Sequence, residues 1–222
     1  TEHMNITCLM SHLACAYTPD HGLNIHQLEA FSNIARQFPN ARKSLSNTAG
    51  ICLGTDYHFD LTRPGIGLYG GYSTPFFTPD CALRLTTPII ATYTVEDTPN
   101  TSRHVGYGAE FTAPPGTRIA ILSLGYADGF LRSFFQSGFC MIGSHKCPVI
   151  GRISMDLTAI DITSAAPEIS DGDPVEIFGP NANIEEQANA AGTLSYELLT
   201  AMGSRINRHY VGPNKSIENQ NS

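Results

Sequence analysis

Residues 73–79, Ser-Thr-Pro-Phe-Phe-Thr-Pro, divide this 222-residue chain into two differently patterned parts. Two prolines this close exclude a helix and make a poor strand. Before the break, strand, helix and loop signals alternate. Residues 5–10 read as a short buried strand. Ile25, Leu28, Phe31, Ile34, Ala35 and Phe38 repeat at spacings of three and four, which predicts an amphipathic helix. Asn24 is placed to cap it, Gln27 to complete a loose capping box and Pro39 to end it. Residues 42–50 then read as a strand entering a small-residue loop. This order predicts βαβ units. After the break come short β-rich runs at 88–95, 118–124, 139–142, 148–153, 157–162 and 174–178, parted by turn signals such as Pro114-Pro115-Gly116. They predict an all-β module closed by two helices, one capped by Asn183 and one by Thr193.

Composition narrows the classes of function. The net charge of −7 argues against non-specific binding to nucleic acid or to an anionic membrane. No apolar run approaches the roughly 18 residues of a membrane span. The six cysteines form no C-x-x-C pair and have no histidines at zinc-site spacing, so no metal site is expected. They read as reduced thiols of a cytoplasmic protein. The start, Thr-Glu-His-Met-Asn-Ile, lacks both an initiator Met and the plan of a signal peptide, and reads as a start part-way through a gene product. Only Lys43, Lys146 and Lys215 are lysines.

Several stretches carry candidate chemistry, each beside a plainer reading. Gly65-Ile-Gly-Leu-Tyr-Gly70 matches G-x-G-x-x-G. A dinucleotide site needs a strand before it and a helix after it, and here Pro64 precedes and the proline-rich break follows. Its amides suit a phosphate cradle, although the glycines alone fit an ordinary tight turn better. Arg63 adds a permanent planar cation, or equally a surface ion pair. Asn47-Thr48-Ala49-Gly50 supplies a hydroxyl in a small-residue loop, or a helix cap. His12 reads as a core histidine or a catalyst, and Tyr107, between two glycines, as packing or as an acid/base. Gly125–Gly129 and Arg152–Asp156 read singly as turns with packing.

In series, these stretches resemble alanine racemase. They are Met10-Ser-His-Leu-Ala14, Ser46-Asn-Thr-Ala-Gly50, Arg63-Pro-Gly-Ile66, Leu68-Tyr-Gly70, Gly106-Tyr-Gly108, Gly125-Tyr-Ala-Asp-Gly129, Gly151-Arg-Ile-Ser-Met-Asp156 and Gly192-Thr-Leu-Ser-Tyr-Glu197. The resemblance runs over about residues 4–211 and covers only the C-terminal part of that family. It implies an α/β plus β fold: the end of a (β/α)8 barrel that binds pyridoxal 5′-phosphate, then an all-β domain. The expected division is 1–83 for the partial barrel, 84–213 for the β domain and 214–222 for a flexible tail. A barrel takes about 250 residues, so on the order of 150 are expected to be absent.

Further implications are a homodimer with shared active sites, alanine as substrate, and no nucleic-acid or membrane partner. Thr48, Gly65, Ile66 and Tyr196 match positions around the cofactor phosphate, with Thr48 where serine is usual. Arg63 matches the arginine facing the pyridine nitrogen, and His12 and Asn47 match neighbours of that ring. Tyr107 matches the base on the L face, reaching into the partner's site. Met155 matches a backbone contact to the substrate carboxylate, and Tyr126 and Arg152 match the entrance corridor. Tyr17 falls where that corridor often has an aspartate. Ser44 falls where some members carry a histidine that supports the arginine. The lysine that bonds the cofactor and serves as second base lies, in the family, upstream of what this chain covers, and none of the three lysines has its context. The chain alone is therefore expected to be inactive, with apolar strand edges that favour aggregation. The alternatives are a racemase of another amino acid such as serine, or a non-catalytic phosphate-binding or dimerisation module.

Overall fold

A computed structural model describes residues 4–96, 98 and 103–212. The expected tail at 214–222, with Lys215, lies outside the described residues. Contacts divide the chain into two units, Thr1–Thr86 with Glu176–Asn189, and Thr87–Val175 with Ala190–Ser222.

The first unit contains the expected βαβ element. Strand β1 (Cys8–Met10) leads through helix α1 (Gly22–Ala35) to β2 (Arg42–Ser44). The strands pair in parallel, Cys8 opposite Arg42 and Met10 opposite Ser44. Phe31 and Ala35 are the buried apolar side chains of α1.

Three local expectations are corrected. Helix α1 starts earlier, and its cap is His21, whose Nδ1 accepts the Leu23 N–H at 3.1 Å. Asn24 lies buried inside the helix and donates to the carbonyls of Thr18 and Pro19. Gln27 reaches back to the Ala14 N–H and the His12 carbonyl, so it holds the loop after β1 and forms no capping box. The helix gives way at Arg36, before Pro39. Strand β1 is largely exposed, with Met10 64% accessible, where a buried strand is expected.

After β2, Asn47 caps a short helix α2 (Thr48–Cys52), its Oδ1 accepting the Gly50 N–H at 3.0 Å. Within the proline-rich break, Thr74 and Phe77 exchange backbone hydrogen bonds in a tight turn. The return segment at 176–189 is pinned by two carboxylates. Buried Glu176 pairs with Arg84 at 2.8 Å and accepts the Ala182 N–H, and Glu185 accepts the Tyr72 N–H.

The β module is a closed barrel of six strands. They are β3 (Leu85–Thr94), β6 (Arg118–Leu122), β7 (Phe139–Ile142), β8 (His145–Ile150), β9 (Thr158–Asp161) and β10 (Pro174–Phe178). Their order around the barrel is β10-β3-β6-β9-β8-β7. Closure removes the unpaired edges that an open sheet would expose. The division between the units falls within β3 and within β10. A separate hairpin, β4 (Arg103–Val105) with β5 (Phe111–Ala113), is not predicted by the sequence patterning. Its Val105 and Ala113 are buried in one cluster with Val95, Ile119 and Ile150, which fixes the hairpin to the barrel wall.

Three further helices are α3 (Phe134–Ser137), α4 (Ile184–Ala190) and α5 (Ser195–Ala201). The cap position of α5 is Leu194, and the Thr193 hydroxyl bonds the Glu197 carboxylate, so Thr193 is not the cap expected.

All six cysteines are free thiols. Cys140 and Cys147 face each other across β7 and β8, both fully buried. Burial, then the charge of Asp161, pushes the Cys147 thiol up to about 11, and burial raises Cys140 further still. A thiol held above its ordinary range stays neutral and unreactive at pH 7. Brief alkylation of the native protein is expected to label exposed Cys8 and Cys81 but leave Cys140 and Cys147 unmodified until denaturant is added, as peptide mass spectrometry would read. Native labelling of Cys140 would contradict the closed barrel.

Candidate functional site

In the first unit the candidate residues converge on the turn after α2. Thr48 opens that helix and is buried. Its Oγ1 accepts the Gly65 N–H at 2.9 Å and the Gly67 N–H at 3.3 Å. With those two bonds taken, the Thr48 hydroxyl proton has no acceptor among the described residues. Gly67 must be small here, because a Cβ would stand 2.8 Å from the Thr48 methyl. A Cβ on Gly65 would meet nothing within 4 Å, so that side of the turn is open. Ile66 is buried and begins a 3-10 turn, Ile66–Tyr69. Its N–H, like the first amides of helical turns in general, lacks an intrahelical acceptor.

Arg63 lies beside this turn, its N–H bonded to the Ser46 carbonyl at 2.8 Å. The guanidinium is held by neutral groups. Nη1 donates to Ser44 Oγ at 2.6 Å, and Nη2 to the carbonyls of Ser11 and Leu45. His12 Nδ1 stands 3.4 Å from Nη2. Ser44 passes its own proton to the Leu61 carbonyl at 2.7 Å. Among the described residues no carboxylate pairs with Arg63, so its charge is kept whole and its direction fixed. Asn47, expected near the same group, is occupied as the cap of α2. Tyr17 packs edge-on against Tyr72, ring centroids 4.8 Å apart.

In the second unit three loops interlock. Tyr107 projects from the β4–β5 turn, 73% exposed, and its N–H bonds the Arg152 carbonyl at 3.3 Å. This turn lies against 151–152 because Gly106, at φ +78°, carries no Cβ; one there would stand 2.7 Å from Gly151 Cα. Arg152 pairs across the same junction with Glu110 at 2.5 Å. The second loop, 125–129, carries Tyr126. Its backbone runs against the third, with the Tyr126 N–H bonded to Ser154 and the Ala127 N–H to Met155. The Arg132 guanidinium sits over the Tyr126 ring, 5.9 Å from its centroid. Met155 is exposed, and its N–H has no acceptor among the described residues. Tyr196, half-buried in the first turn of α5, also belongs to this unit.

The geometry brings together His12, Ser44, Thr48, Arg63, Gly65 and Ile66 in one unit, and Tyr107, Arg152, Tyr126 and Met155 in the other. Sequence reasoning missed Glu110, Asp128 and Arg205. Asp128 had a local signal, since its Oδ2 accepts the N–H of Gly125 in a turn closed by Gly129.

Family comparison agrees on both sides of the proline-rich break. Residues 82–210 match the family model "Alanine racemase, C-terminal domain", and residues 1–73 match "Alanine racemase, N-terminal domain". The chain belongs to the alanine racemase family. The second match assigns the front segment to the family's N-terminal domain, where the partial barrel is expected.

Among curated members, the biosynthetic alanine racemase of Agrobacterium fabrum is 43% identical over 217 residues, covering 91% of this chain and 54% of that protein. The alanine racemase of Rhodospirillum rubrum is 42% identical, covering 92% of this chain and 54% of that protein. Among solved structures, alanine racemase from Bartonella henselae with covalently bound pyridoxal phosphate superposes with a TM-score of 0.86 at 32% identity, over 95% of this chain and 58% of that one. The biosynthetic racemase of Pseudomonas aeruginosa gives 0.82 at 34%, over 94% and 58%. The chain thus spans a little over half the length of these members, and it shares their barrel plus β-domain fold.

Ser44→Ala removes the acceptor of Arg63 Nη1 and leaves that charged donor unsatisfied in a partly buried setting. The expected loss of unfolding free energy is about 1–3 kcal/mol, read from urea transitions monitored by circular dichroism. An unchanged midpoint would show that Ser44 does not hold the guanidinium.

Proposed function

We propose that this chain is the portion of a pyridoxal 5′-phosphate-dependent alanine racemase that holds the cofactor phosphate and supplies the base for the L face. What carries the reading is the Thr48 hydroxyl, whose proton lacks an acceptor, beside the open Gly65 turn and the carboxylate-free Arg63. These residues fit the cofactor. The Thr48 hydroxyl proton and the Ile66 amide would hold the phosphate on the open side of the Gly65 turn. Arg63 would face the ring nitrogen, with His12 beside it.

When bound, the cofactor supplies the electron sink that makes removal of an α-proton feasible. Arg63 keeps its own protons, and its donors already point at Ser44 and backbone carbonyls, so it would leave the ring nitrogen largely unprotonated. That weakens the sink and disfavours side reactions such as transamination. Inverting a carbon needs bases on opposite faces. Tyr107 would take or return the proton on the L face, and its exposed perch on the hairpin suits reaching into the partner's site of a homodimer. The Met155 amide, unpartnered and exposed, would bind the alanine carboxylate, while Tyr126 and Arg152 line the approach. The second base is the family's cofactor-bearing lysine, which Lys43 and Lys146 do not replace. Lys43 is bonded to the Pro39 carbonyl and Lys146 lies over the Phe139 ring. Among the described residues no helix is long and apolar enough to cross a membrane.

In the complete enzyme, Tyr107→Phe is expected to lower racemisation about 10²–10⁴-fold with the cofactor still bound, as circular dichroism of alanine turnover and the cofactor absorbance would report. Unchanged turnover in both directions would remove Tyr107 from its role. The chain on its own, mixed with cofactor and borohydride, is expected to show no stoichiometric adduct on Lys43, Lys146 or Lys215 by mass spectrometry. Such an adduct would overturn the assignment of the second base.

A further inference from the structure

Segment 202–208, which follows α5, is tied to both loops that carry Tyr126 and Met155. Arg205 spans them: its Nε stands 3.1 Å from Asp128 Oδ1, and its Nη2 stands 2.8 Å from Asp156 Oδ1. The two carboxylates differ in setting. The Asp128 side chain is only 10% exposed and spends its other oxygen on the Gly125 N–H at 2.9 Å, whereas the Asp156 side chain is 57% exposed. The segment adds a backbone tie, from the Gly203 N–H to the Asp128 carbonyl, and is braced internally by the Arg208 guanidinium, which donates to the Met202 carbonyl. Gly129, at φ +102°, lies against the Ala201 carbonyl, where no side chain would fit.

We infer that Arg205 is a positioning residue which, by bridging Asp128 and Asp156, fixes the Met155 amide relative to the Tyr126 turn and so sets where the substrate carboxylate binds. This rests on the reading of Met155 given above. The planar guanidinium reaches two carboxylates at once from fixed directions, which a lysine cannot do. It also neutralises charge. Without it, two carboxylates would flank the amide meant for a third, repelling the substrate before any chemistry begins. Arg205 touches no reacting atom. Its loss should weaken ground state and transition state alike, which raises KM and spares kcat.

The test uses Arg205→Gln, Arg205→Lys and Asp156→Asn. In the complete enzyme, Arg205→Gln is expected to raise KM for both alanine enantiomers about tenfold while kcat stays within about twofold. Arg205→Lys should recover part of that loss, and Asp156→Asn, which leaves the Asp128 arm in place, should cost less. Hydrogen exchange on Arg205→Gln should show protection lost at 125–129 and 153–157 while the barrel strands keep theirs. Unchanged protection at both loops would overturn the bridge, whatever the kinetics. Lost protection with KM unchanged would overturn the link to the substrate. A fall in kcat with KM unchanged, together with exchange throughout the barrel, would mark a role in stability alone and overturn the positioning role. If the unaltered complete enzyme failed to racemise alanine, the functional reading would fail separately, and the exchange data would still decide the bridge.

Discussion

One hydroxyl organises the first unit. Thr48 Oγ1 accepts the amides of Gly65 and Gly67, joining the start of α2 to a turn 17 residues further along the chain. Without that junction the amides at 65 and 66 would have no defined direction, and Arg63 would flank a loose loop. The junction requires a glycine at 67, because the turn approaches the threonine methyl too closely for a side chain. The threonine hydroxyl accepts twice and still has a proton to give. A buried group with a spare donor beside an open turn is costly in an apolar core and useful against an anion.

Arg63 extends the same logic. Its acceptors among the described residues are uncharged, the Ser44 hydroxyl and two carbonyls, and His12 Nδ1 stands beside Nη2. An arginine meant only for stability would gain more from a carboxylate. Here the charge is fixed in direction but not cancelled, as needed where it must act on something else. Ser44 stands where the resemblance places a supporting histidine in some members, and its hydroxyl does that work by relaying to the Leu61 carbonyl.

Much of the fold was legible from hydrophobic periodicity. The strands at 139–142 and 174–178 were read to the residue, because turn residues bound them sharply on both sides. The parallel β1–β2 pair followed from the strand, helix, strand order. What failed was decided by distant contacts. Asn24 has the chemistry of a cap, but two loop carbonyls claim its amide. The β4–β5 hairpin has strands of three residues each, too short for alternation to show, and its burial depends on barrel residues far along the chain. In the site, the motif residues were visible as a family pattern. Their supports were not: Arg205 meets Asp156 across 49 residues, and nothing in the local sequence marks the pairing.

The central claim is that Thr48 addresses the phosphate and not the ring of the cofactor. The most direct measurement compares the affinity of the complete protein for pyridoxal 5′-phosphate and for pyridoxal, which lacks the phosphate, in the natural sequence and in Thr48→Val. The account predicts that Thr48→Val weakens the phosphate-bearing cofactor by about tenfold or more, the loss of a charge-assisted hydrogen bond, and leaves pyridoxal unaffected. Equal weakening of both would mean that the hydroxyl only shapes the turn, and would contradict the account.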